Sequence, residues 1–124
     1  MKIMESAENY LESILKIYQK KGVVRSIDVV NDLGFKKSSI SVAMKQLREN
    51  GYIDMATDGE ITLTENGLTI ATDVFERHIL LKNALVAIGV PEDIAEVDAC
   101  KIEHDLSEEA FTCLKRYISD RSLG

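Results

Sequence analysis

The sequence is poor in the residues that cross-link or stiffen a chain. It holds two cysteines, one proline and no tryptophan, and aromatic residues make up 6% of its 124 positions. Two cysteines are too few for a disulfide framework, and no stretch approaches the ~20 consecutive apolar residues of a membrane helix. Residues 1–5 lead into no apolar run, so we expect no signal peptide. These absences exclude a disulfide-rich secreted fold and a membrane-spanning chain, and they favour a cytoplasmic location.

The charge of the chain is unevenly distributed. Residues 1–64 carry nine basic and nine acidic side chains, whereas residues 65–124 carry six basic and twelve acidic ones. The net charge of −6 therefore belongs to the second half. The first half is neutral and remains free to meet phosphate groups.

Three helices are predicted in the first 51 residues. Apolar side chains recur at three- and four-residue spacing over residues 7–20, which is typical of an amphipathic helix. Ser26 is the predicted N-cap of a short second helix that stops at Gly34. A third helix follows residues 36–39 and ends at Gly51. A short helix, a turn and a third helix in this order form the helix-turn-helix pattern.

The face of the third helix opposite its apolar stripe carries small and hydrogen-bonding side chains, and its first acid is Glu49. Two lysines beside the helix N-terminus suit phosphate, and the serine, valine and glutamine side chains that follow suit base edges. The predicted DNA-contacting residues are Lys36, Lys37, Ser38, Ser39, Ser41, Val42, Lys45 and Gln46. Helix-turn-helix units also occur in proteins that never touch DNA, so that alternative stays open.

A two-stranded hairpin is predicted next. Residues 52–56 and 61–63 read as strands, and the Asp-Gly pair between them is typical of a tight turn. Three helices followed by such a hairpin make a winged helix. Asp58 and Glu60 make the tip of this wing acidic, so we do not expect the wing to hold phosphate.

The second half of the chain reads as three more helices. Thr64 caps a long helix that runs to about Ala87, Pro91 takes the first helical position of the next, and Ser107 caps the last. We expect Cys113 to lie in the core, without a disulfide to Cys100.

Several side chains in these helices are of metal-ligating types. Cys100, Glu103 and His104 fall at i, i+3 and i+4 of a predicted helix and therefore share one face. A site that mixes S, O and N donors suits Fe, Co, Ni or Zn better than Mg or Ca. The alternative is that Cys100 is a small buried hydrophobe and that Glu103 and His104 are surface residues. His78 in the long helix has an equally ordinary interpretation as a structural histidine.

These features occur together in one known family. The run from Cys100 to Ser107, Cys-Lys-Ile-Glu-His-Asp-Leu-Ser, follows a long helix with Arg77-His78, a winged helix and a first helix with the carboxylate Glu12. This order resembles the metal-dependent repressors typified by the diphtheria toxin repressor and the manganese transport regulator. The resemblance covers the whole chain.

The resemblance implies a mostly α-helical fold with a winged helix-turn-helix domain over residues 1–63 and a helical metal-binding and dimerisation domain over residues 64–124. It implies a homodimer that binds a palindromic operator in double-stranded DNA, with no membrane partner and no enzymatic activity. It also implies that a divalent metal favours DNA binding. The ligands implied by position are Glu12, His78, Cys100, Glu103 and His104, with Asn9 beside them.

The chain departs from the family pattern in three respects. Asn9 stands where the manganese branch has aspartate and the iron branch has methionine. Cys100 is similar to the iron branch whereas Glu12 is similar to the manganese branch, so the expected metal is Fe²⁺ or Mn²⁺, with Zn²⁺, Co²⁺ and Ni²⁺ left open. Lys82 replaces a carboxylate of the second metal site in the iron branch. We expect that site, and the extra C-terminal domain of the branch, to be missing.

Three other functions account for parts of the sequence. In the first, the chain is a metal-independent winged-helix regulator whose Cys100 is structural or senses oxidation. In the second, it is a small metal-dependent hydrolase, which would need an open coordination position and a general base that the sequence does not offer. The third, a metal-buffering protein, leaves the acid-free face of the third helix unexplained. The sequence therefore favours a metal-responsive transcriptional repressor.

Overall fold

The computed structural model describes residues 5–120 and shows the order of elements that the sequence predicts. Its described elements are α1 (Glu5–Lys21), α2 (Ser26–Leu33), α3 (Lys37–Glu49), β1 (Ile53–Met55), β2 (Ile61–Leu63), α4 (Glu65–Ala87), α5 (Glu92–Ile102) and α6 (Glu108–Asp120). Residues 1–4, on which the expectation of no signal peptide partly rests, lie outside this range. No helix among the described residues is long and apolar enough to cross a bilayer.

The chain folds as two compact units, Met1–Thr72 and Asp73–Gly124. We call them the first unit and the second unit. The division falls inside α4, whereas the predicted domain boundary at residues 63 and 64 lies just before this helix. That boundary stays a prediction about the sequence.

The first unit is a winged helix, as predicted. Helices α1, α2 and α3 enclose an apolar core with the hairpin, in which β1 pairs antiparallel with β2. Ile53 faces Leu63 and Met55 faces Ile61 across the hairpin. The most deeply buried apolar side chains of this unit are Leu11, Ile14, Val24, Val29, Ile40, Met44, Ile53 and Ile61. For those that lie in a helix or strand, burial follows from the predicted apolar spacing of the element; Val24 lies in the loop between α1 and α2.

Helix ends show where local sequence signals hold and where they shift. The hydroxyl of Thr64 accepts a hydrogen bond from the Gly67 amide at 3.2 Å, and that of Ser107 accepts one from the Ala110 amide at 3.0 Å, so both predicted caps are confirmed. The prediction for Ser26 is wrong by one residue. Arg25 is the N-cap of α2, and its amide donates to Asp28 Oδ2 at 2.9 Å. Pro91 is likewise the N-cap of α5 rather than its first helical residue.

The start of α4 lies against Tyr52, in the turn between α3 and β1. A Cβ atom at Gly67 would come within 1.9 Å of the backbone oxygen of Tyr52, so only glycine fits at this position. The Thr64 hydroxyl donates to the oxygen of Gly51 at 2.7 Å and strengthens the same junction. These contacts fix where α4 leaves the winged helix.

Candidate metal centre and nucleic-acid interface

His78 lies on α4 with both ring nitrogens against carboxylates. Nδ1 is 2.9 Å from Glu103 Oε2, and Nε2 is 2.8 Å from Glu96 Oε1. The hydrogen bond to Glu103 raises the pKa of His78, with a further contribution from the charge of Glu96. The ring is buried, with 7% of the residue exposed. Because both ring nitrogens contact carboxylates, His78 is part of a polar cluster and is not an isolated structural histidine.

Glu103 is the most deeply buried acid of the second unit, with 1% of the residue exposed. It is the C-cap of α5, and its amide donates to the oxygen of Ala99 at 3.0 Å. Oε1 lies 3.3 Å from His104 Nε2 but forms no hydrogen bond within the described residues. A buried carboxylate is costly unless its charge and lone pairs are satisfied.

The pentapeptide from Cys100 to His104 is only partly helical. Helix α5 ends at Ile102, and residues 103–105 form a turn. Glu103 keeps helical backbone angles, which preserves its predicted spacing of one turn from Cys100. The side chain of His104 is 2% exposed, whereas Cys100 is an exposed residue.

Arg77 fixes the turn that carries Glu103 and His104. Its Nη1 donates to the backbone oxygens of Glu103 at 3.2 Å and Leu106 at 2.6 Å. Its Nη2 donates to Glu108 Oε1 at 2.9 Å, and the guanidinium lies 5.0 Å from the ring centroid of Phe111. The carbonyls at the end of α5 are thus satisfied by a buried cation, which holds Glu103 in place.

The predicted ligands divide between the two units. His78, Glu103 and His104 come together in the second unit, where Cys100 precedes Glu103 by one turn of α5. Glu12 and Asn9 belong to α1 in the first unit; Glu12 is 5% exposed and Asn9 is partly buried. Glu12, Asn9, His78 and Cys100 lie on the helices predicted for them, whereas Glu103 is the C-cap of α5 and His104 lies in the turn that follows it. The expectation that Cys113 lies in the core is wrong, since that residue is exposed on α6.

The donors of the second unit fit a divalent transition metal. Two imidazole nitrogens lie beside the Glu103 carboxylate, and one of its oxygens is buried without a hydrogen bond. Imidazole and carboxylate are donors that Mn, Fe, Co and Zn accept. A cation at this position would satisfy the unbonded oxygen.

The sequence did not predict roles for two residues of this site. Glu96 forms a hydrogen bond to His78, and Arg77 donates to the backbone oxygens of Glu103 and Leu106. Glu96 precedes Glu103 by seven residues, which places both on the same face of α5, and this spacing was the available signal. Arg77 was noted only as the neighbour of His78. Its hydrogen bonds to backbone oxygens cannot be predicted from residue types, because every residue has such an oxygen.

The predicted DNA-contacting residues form one exposed surface in the first unit. All eight, Lys36, Lys37, Ser38, Ser39, Ser41, Val42, Lys45 and Gln46, are exposed, and we call them the reading surface. The first turn of α3 contains no acid, and its N-cap Lys36 makes no side-chain capping bond. The helix N-terminus is therefore electropositive and has amides available for phosphate. Val42, an apolar residue with 58% exposure, has no role in the core.

The wing tip differs from the reading surface in charge. Asp58 pairs with Arg25 Nη2 at 3.3 Å, and its Oδ1 accepts a hydrogen bond from the Glu60 amide at 3.0 Å. The hydrogen bond from this amide holds the pKa of Asp58 below its ordinary value. The tip therefore carries a stably ionised acid, in agreement with the predicted acidic wing.

Two family profiles match the chain and together span nearly all of it. Residues 2–61 match the profile described as the iron dependent repressor N-terminal DNA binding domain. Residues 64–122 match the profile described as the iron dependent repressor metal binding and dimerisation domain.

Full-length relatives agree with these matches. The chain is 34% identical over 116 residues to an HTH-type transcriptional regulator of Methanocaldococcus jannaschii, covering 92% of this chain and 93% of the relative. It is 30% identical over 113 residues to the transcriptional regulator MntR of Escherichia coli, covering 91% of this chain and 73% of the relative. These relatives are named regulators, so the prediction that the chain is not an enzyme is confirmed.

Solved structures share the fold. A manganese-dependent transcriptional repressor in complex with manganese is 26% identical, with a TM-score of 0.83 over 91% of this chain and 52% of that one. IdeR of T. acidophilum is 23% identical, with a TM-score of 0.81 over 96% of this chain and 55% of that one. The chain thus spans about half the length of these two proteins. From the profiles, the relatives and the shared fold, the chain belongs to the iron-dependent repressor family, whose members are metal-dependent transcriptional repressors.

Proposed function

We propose that this chain represses transcription in response to a divalent metal, Mn²⁺ or Fe²⁺, whose binding favours attachment to a palindromic operator. The observation that carries the proposal is the buried Glu103 carboxylate between His78 and His104. Charged groups are buried in this way where a partner of opposite charge is available. The family membership gives that partner its chemical class.

The proposed ligands are those implied by the resemblance: Glu12, His78, Cys100, Glu103 and His104, with Asn9 beside Glu12. His78, Glu103 and His104 are supported by their proximity in the second unit. Glu12 is supported by its burial, which is unusual for an acid on an amphipathic helix. Cys100 is the ligand that decides between a softer and a harder metal, because a thiolate selects Fe, Co or Zn over Mn.

The mechanism follows from the elements that carry the ligands. When bound, a divalent ion supplies the positive charge that offsets the acids of the site. Glu12 belongs to α1 in the DNA-reading unit, whereas His78 and Glu103 belong to the other unit. Ligation by both sets would restrict the movement of the DNA-reading unit. The restriction favours DNA binding, and by linkage DNA tightens metal binding by the same factor.

The reading surface supplies the proposed DNA contacts. Lys36, Lys37 and the first amides of α3 hold phosphate, and Ser41, Val42 and Gln46 face base edges. In a two-fold dimer, two such helices would enter successive major grooves about 34 Å apart. The two-fold symmetry of such a dimer is the reason for proposing a palindromic operator.

Homodimerisation is proposed for the second unit. Several large apolar side chains of this unit are exposed, namely Ile88, Ile94, Val97, Ile102 and Tyr117. Large apolar side chains left exposed in a folded unit are available to pack against a second subunit. With exposed cysteines that form no disulfide, these features agree with a dimeric regulator in the reducing cytoplasm.

The first experiment is a titration of the metal-stripped protein with Mn²⁺, Fe²⁺, Zn²⁺ and Co²⁺, followed by the absorption spectrum of the Co²⁺ form. An intense thiolate-to-cobalt band would identify Cys100 as a ligand and favour iron. Mn²⁺ binding without that band would give an oxygen and nitrogen site in which Cys100 takes no part. If none of the four metals binds, the metal-independent regulator is the correct function.

DNA binding tests the coupling. Operator fragments selected from a random DNA pool with Mn²⁺ present are bound by the wild type, and a chelator should abolish that binding. Glu103→Gln keeps the size of the side chain but removes its charge, so it should lose the metal response. Glu109→Gln, which changes an exposed acid on α6, is the matched control and should behave as the wild type. A metal response that survives in Glu103→Gln would contradict the ligand assignment.

A further inference from the structure

We propose that Glu96, restrained by Lys82, is a positioning residue that orients the His78 ring so that Nδ1 is presented for ligation. The inference rests on the proposed function, since it takes His78 and Glu103 as ligands. It concerns the contacts on the Nε2 side of the His78 ring, where Glu96 accepts from the ring and pairs with Lys82. The family profiles and relatives assign no role to this chain of contacts.

The contacts of the ring distinguish its two nitrogens. Nδ1 lies 2.9 Å from Glu103 Oε2, so it is the nitrogen on the side of the buried carboxylate. Nε2 lies 2.8 Å from Glu96 Oε1, on the other side. A histidine that binds a metal through one nitrogen commonly donates its other N–H to a carboxylate, which fixes the tautomer. Glu96 is in position to receive that hydrogen.

The orientation of the ring needs such a restraint. The terminal torsion of histidine is broad and roughly two-fold, so packing alone distinguishes poorly between the two flipped positions. A flip would exchange Nδ1 for a ring carbon beside Glu103. The hydrogen bond to Glu96 would be lost in the flipped position, and this loss favours the orientation that the structure shows.

Lys82 restrains Glu96 in turn. Its Nζ lies 2.9 Å from Glu96 Oε2 and 3.5 Å from Glu92 Oε1. Lys82 follows His78 by four residues on α4, so the two side chains lie on the same face of the helix and Glu96 bridges them. The side chain of Glu96 is 48% exposed, whereas that of Lys82 is 27% exposed. A half-exposed carboxylate would otherwise sample several rotamers, and the lysine limits it to the one that reaches His78.

Metal affinity is the first test, measured with Zn²⁺ and Mn²⁺ against a competing chelator. Glu96→Ala should weaken binding about 10- to 100-fold, the usual effect of removing the hydrogen-bond partner of a ligating histidine. Glu96→Gln keeps an oxygen that accepts from Nε2 and should recover part of the loss. Lys82→Met should give a smaller loss in the same direction. Asp93→Asn removes an acid from the same recess that makes no bond to His78, and its affinity should equal that of the wild type.

The second test measures the coordination and tautomer of the His78 ring by NMR. The chain has two histidines, so NMR of protein with isotope-labelled histidine gives two sets of ring signals. In the Zn²⁺-loaded wild type, the ring-carbon shifts of His78 should report coordination through Nδ1 with hydrogen on Nε2. Glu96→Ala should show a second set of signals or a broadened one. Glu96→Gln should restore a single set.

Four outcomes would overturn the inference. A Glu96→Ala protein that is less stable yet binds Zn²⁺ with wild-type affinity and ring signals would show a purely structural ion pair. Coordination of the wild type through Nε2 would place the metal on the wrong side of the ring. An equal loss in Glu96→Gln and Glu96→Ala, without rescue, would make Glu96 a ligand. Absence of metal binding by the wild type would remove the proposed function itself.

Discussion

The second unit buries Arg77, His78 and Glu103 beside its apolar side chains, whereas the first unit is filled by aliphatic residues apart from Glu12 and Ser13. The charge differs in the same direction, because the first half of the chain is neutral and the second carries the net −6. Aliphatic packing stabilises the first unit without any ion. The second unit buries charges that must be matched, so we expect its stability to respond to divalent cations.

The largest expected effect comes from breaking the buried charges of the second unit. Arg77→Met keeps much of the side-chain volume but leaves the carbonyls of Glu103 and Leu106 without their donor. We expect a loss of about 2 to 5 kcal/mol in the free energy of unfolding, because each buried acceptor left without a donor costs about 1 to 3 kcal/mol. Urea denaturation measures it. Arg116→Met, an exposed position on α6, should change stability by less than about 0.5 kcal/mol. Equal effects of the two substitutions would end the distinction between the units.

The response to metal sharpens the same distinction. Addition of Mn²⁺ at about 100 times its dissociation constant should stabilise the wild type by about 2.7 kcal/mol. Differential scanning calorimetry should show the shift in the wild type and in Glu109→Gln. It should be largely absent in Glu103→Gln, because the charge that attracts the ion is gone. A full shift in Glu103→Gln would mean that the ion binds elsewhere.

The first unit should instead be sensitive to shape. Gly67→Ala places a methyl group against the oxygen of Tyr52, so α4 must move or the junction must open. We expect a loss of about 1 to 3 kcal/mol, the usual cost of overpacking. Thr69→Ala, on an exposed position of the same helix, is the control and should stay within about 0.5 kcal/mol of the wild type. Stability of Gly67→Ala equal to the control would show that this junction is loose.

The smallest expected effect concerns the cap of α2. Asp28 accepts hydrogen bonds from Lys21 Nζ and the Arg25 amide, and these hold its pKa below the ordinary value. A lowered pKa stabilises the fold above the unfolded-state pKa, and this contribution is lost as the pH falls through the folded-state value. Asp28→Ala should therefore cost on the order of 1 kcal/mol at neutral pH. The stability difference should shrink below about pH 4, near the ordinary pKa of aspartate, when unfolding is followed against pH. A difference that is constant with pH would exclude the ionised cap as its cause.

The fold could be predicted because its signals are local. The hydroxyls of Thr64 and Ser107 cap their helices by accepting a hydrogen bond from the amide three residues further along the chain. The Asp-Gly pair indicates the hairpin turn in the same local way. Helix α2 begins one residue earlier than predicted because Asp28 accepts a hydrogen bond from the Arg25 amide, whereas α5 begins one residue later, with Pro91 as its N-cap. Cys113 was misplaced because its residue type is common in cores, whereas its position on α6 faces outward.

The candidate site could be predicted only in part. His78, Glu103 and His104 were expected together because they match a family pattern, and spacing alone would not have joined α4 to the end of α5. The clamp of Arg77 on the oxygens of Glu103 and Leu106 depends on backbone geometry 26 and 29 residues away. The bridge from Lys82 through Glu96 to His78 depends on the packing of two helices. Neither arrangement is set by a short-range rule.

The reading surface has a consequence for how this protein can diverge. Its eight residues are exposed and make no contribution to the buried core, so replacing Ser41, Val42 or Gln46 should leave the fold intact. Under the proposed function, these same positions set the operator sequence. The buried charges of the second unit permit no such freedom, because each depends on its partners. Gene copies of this repressor could therefore acquire new target sites by single substitutions, whereas a substitution at His78 or Glu103 would have to be matched by changes in its partners.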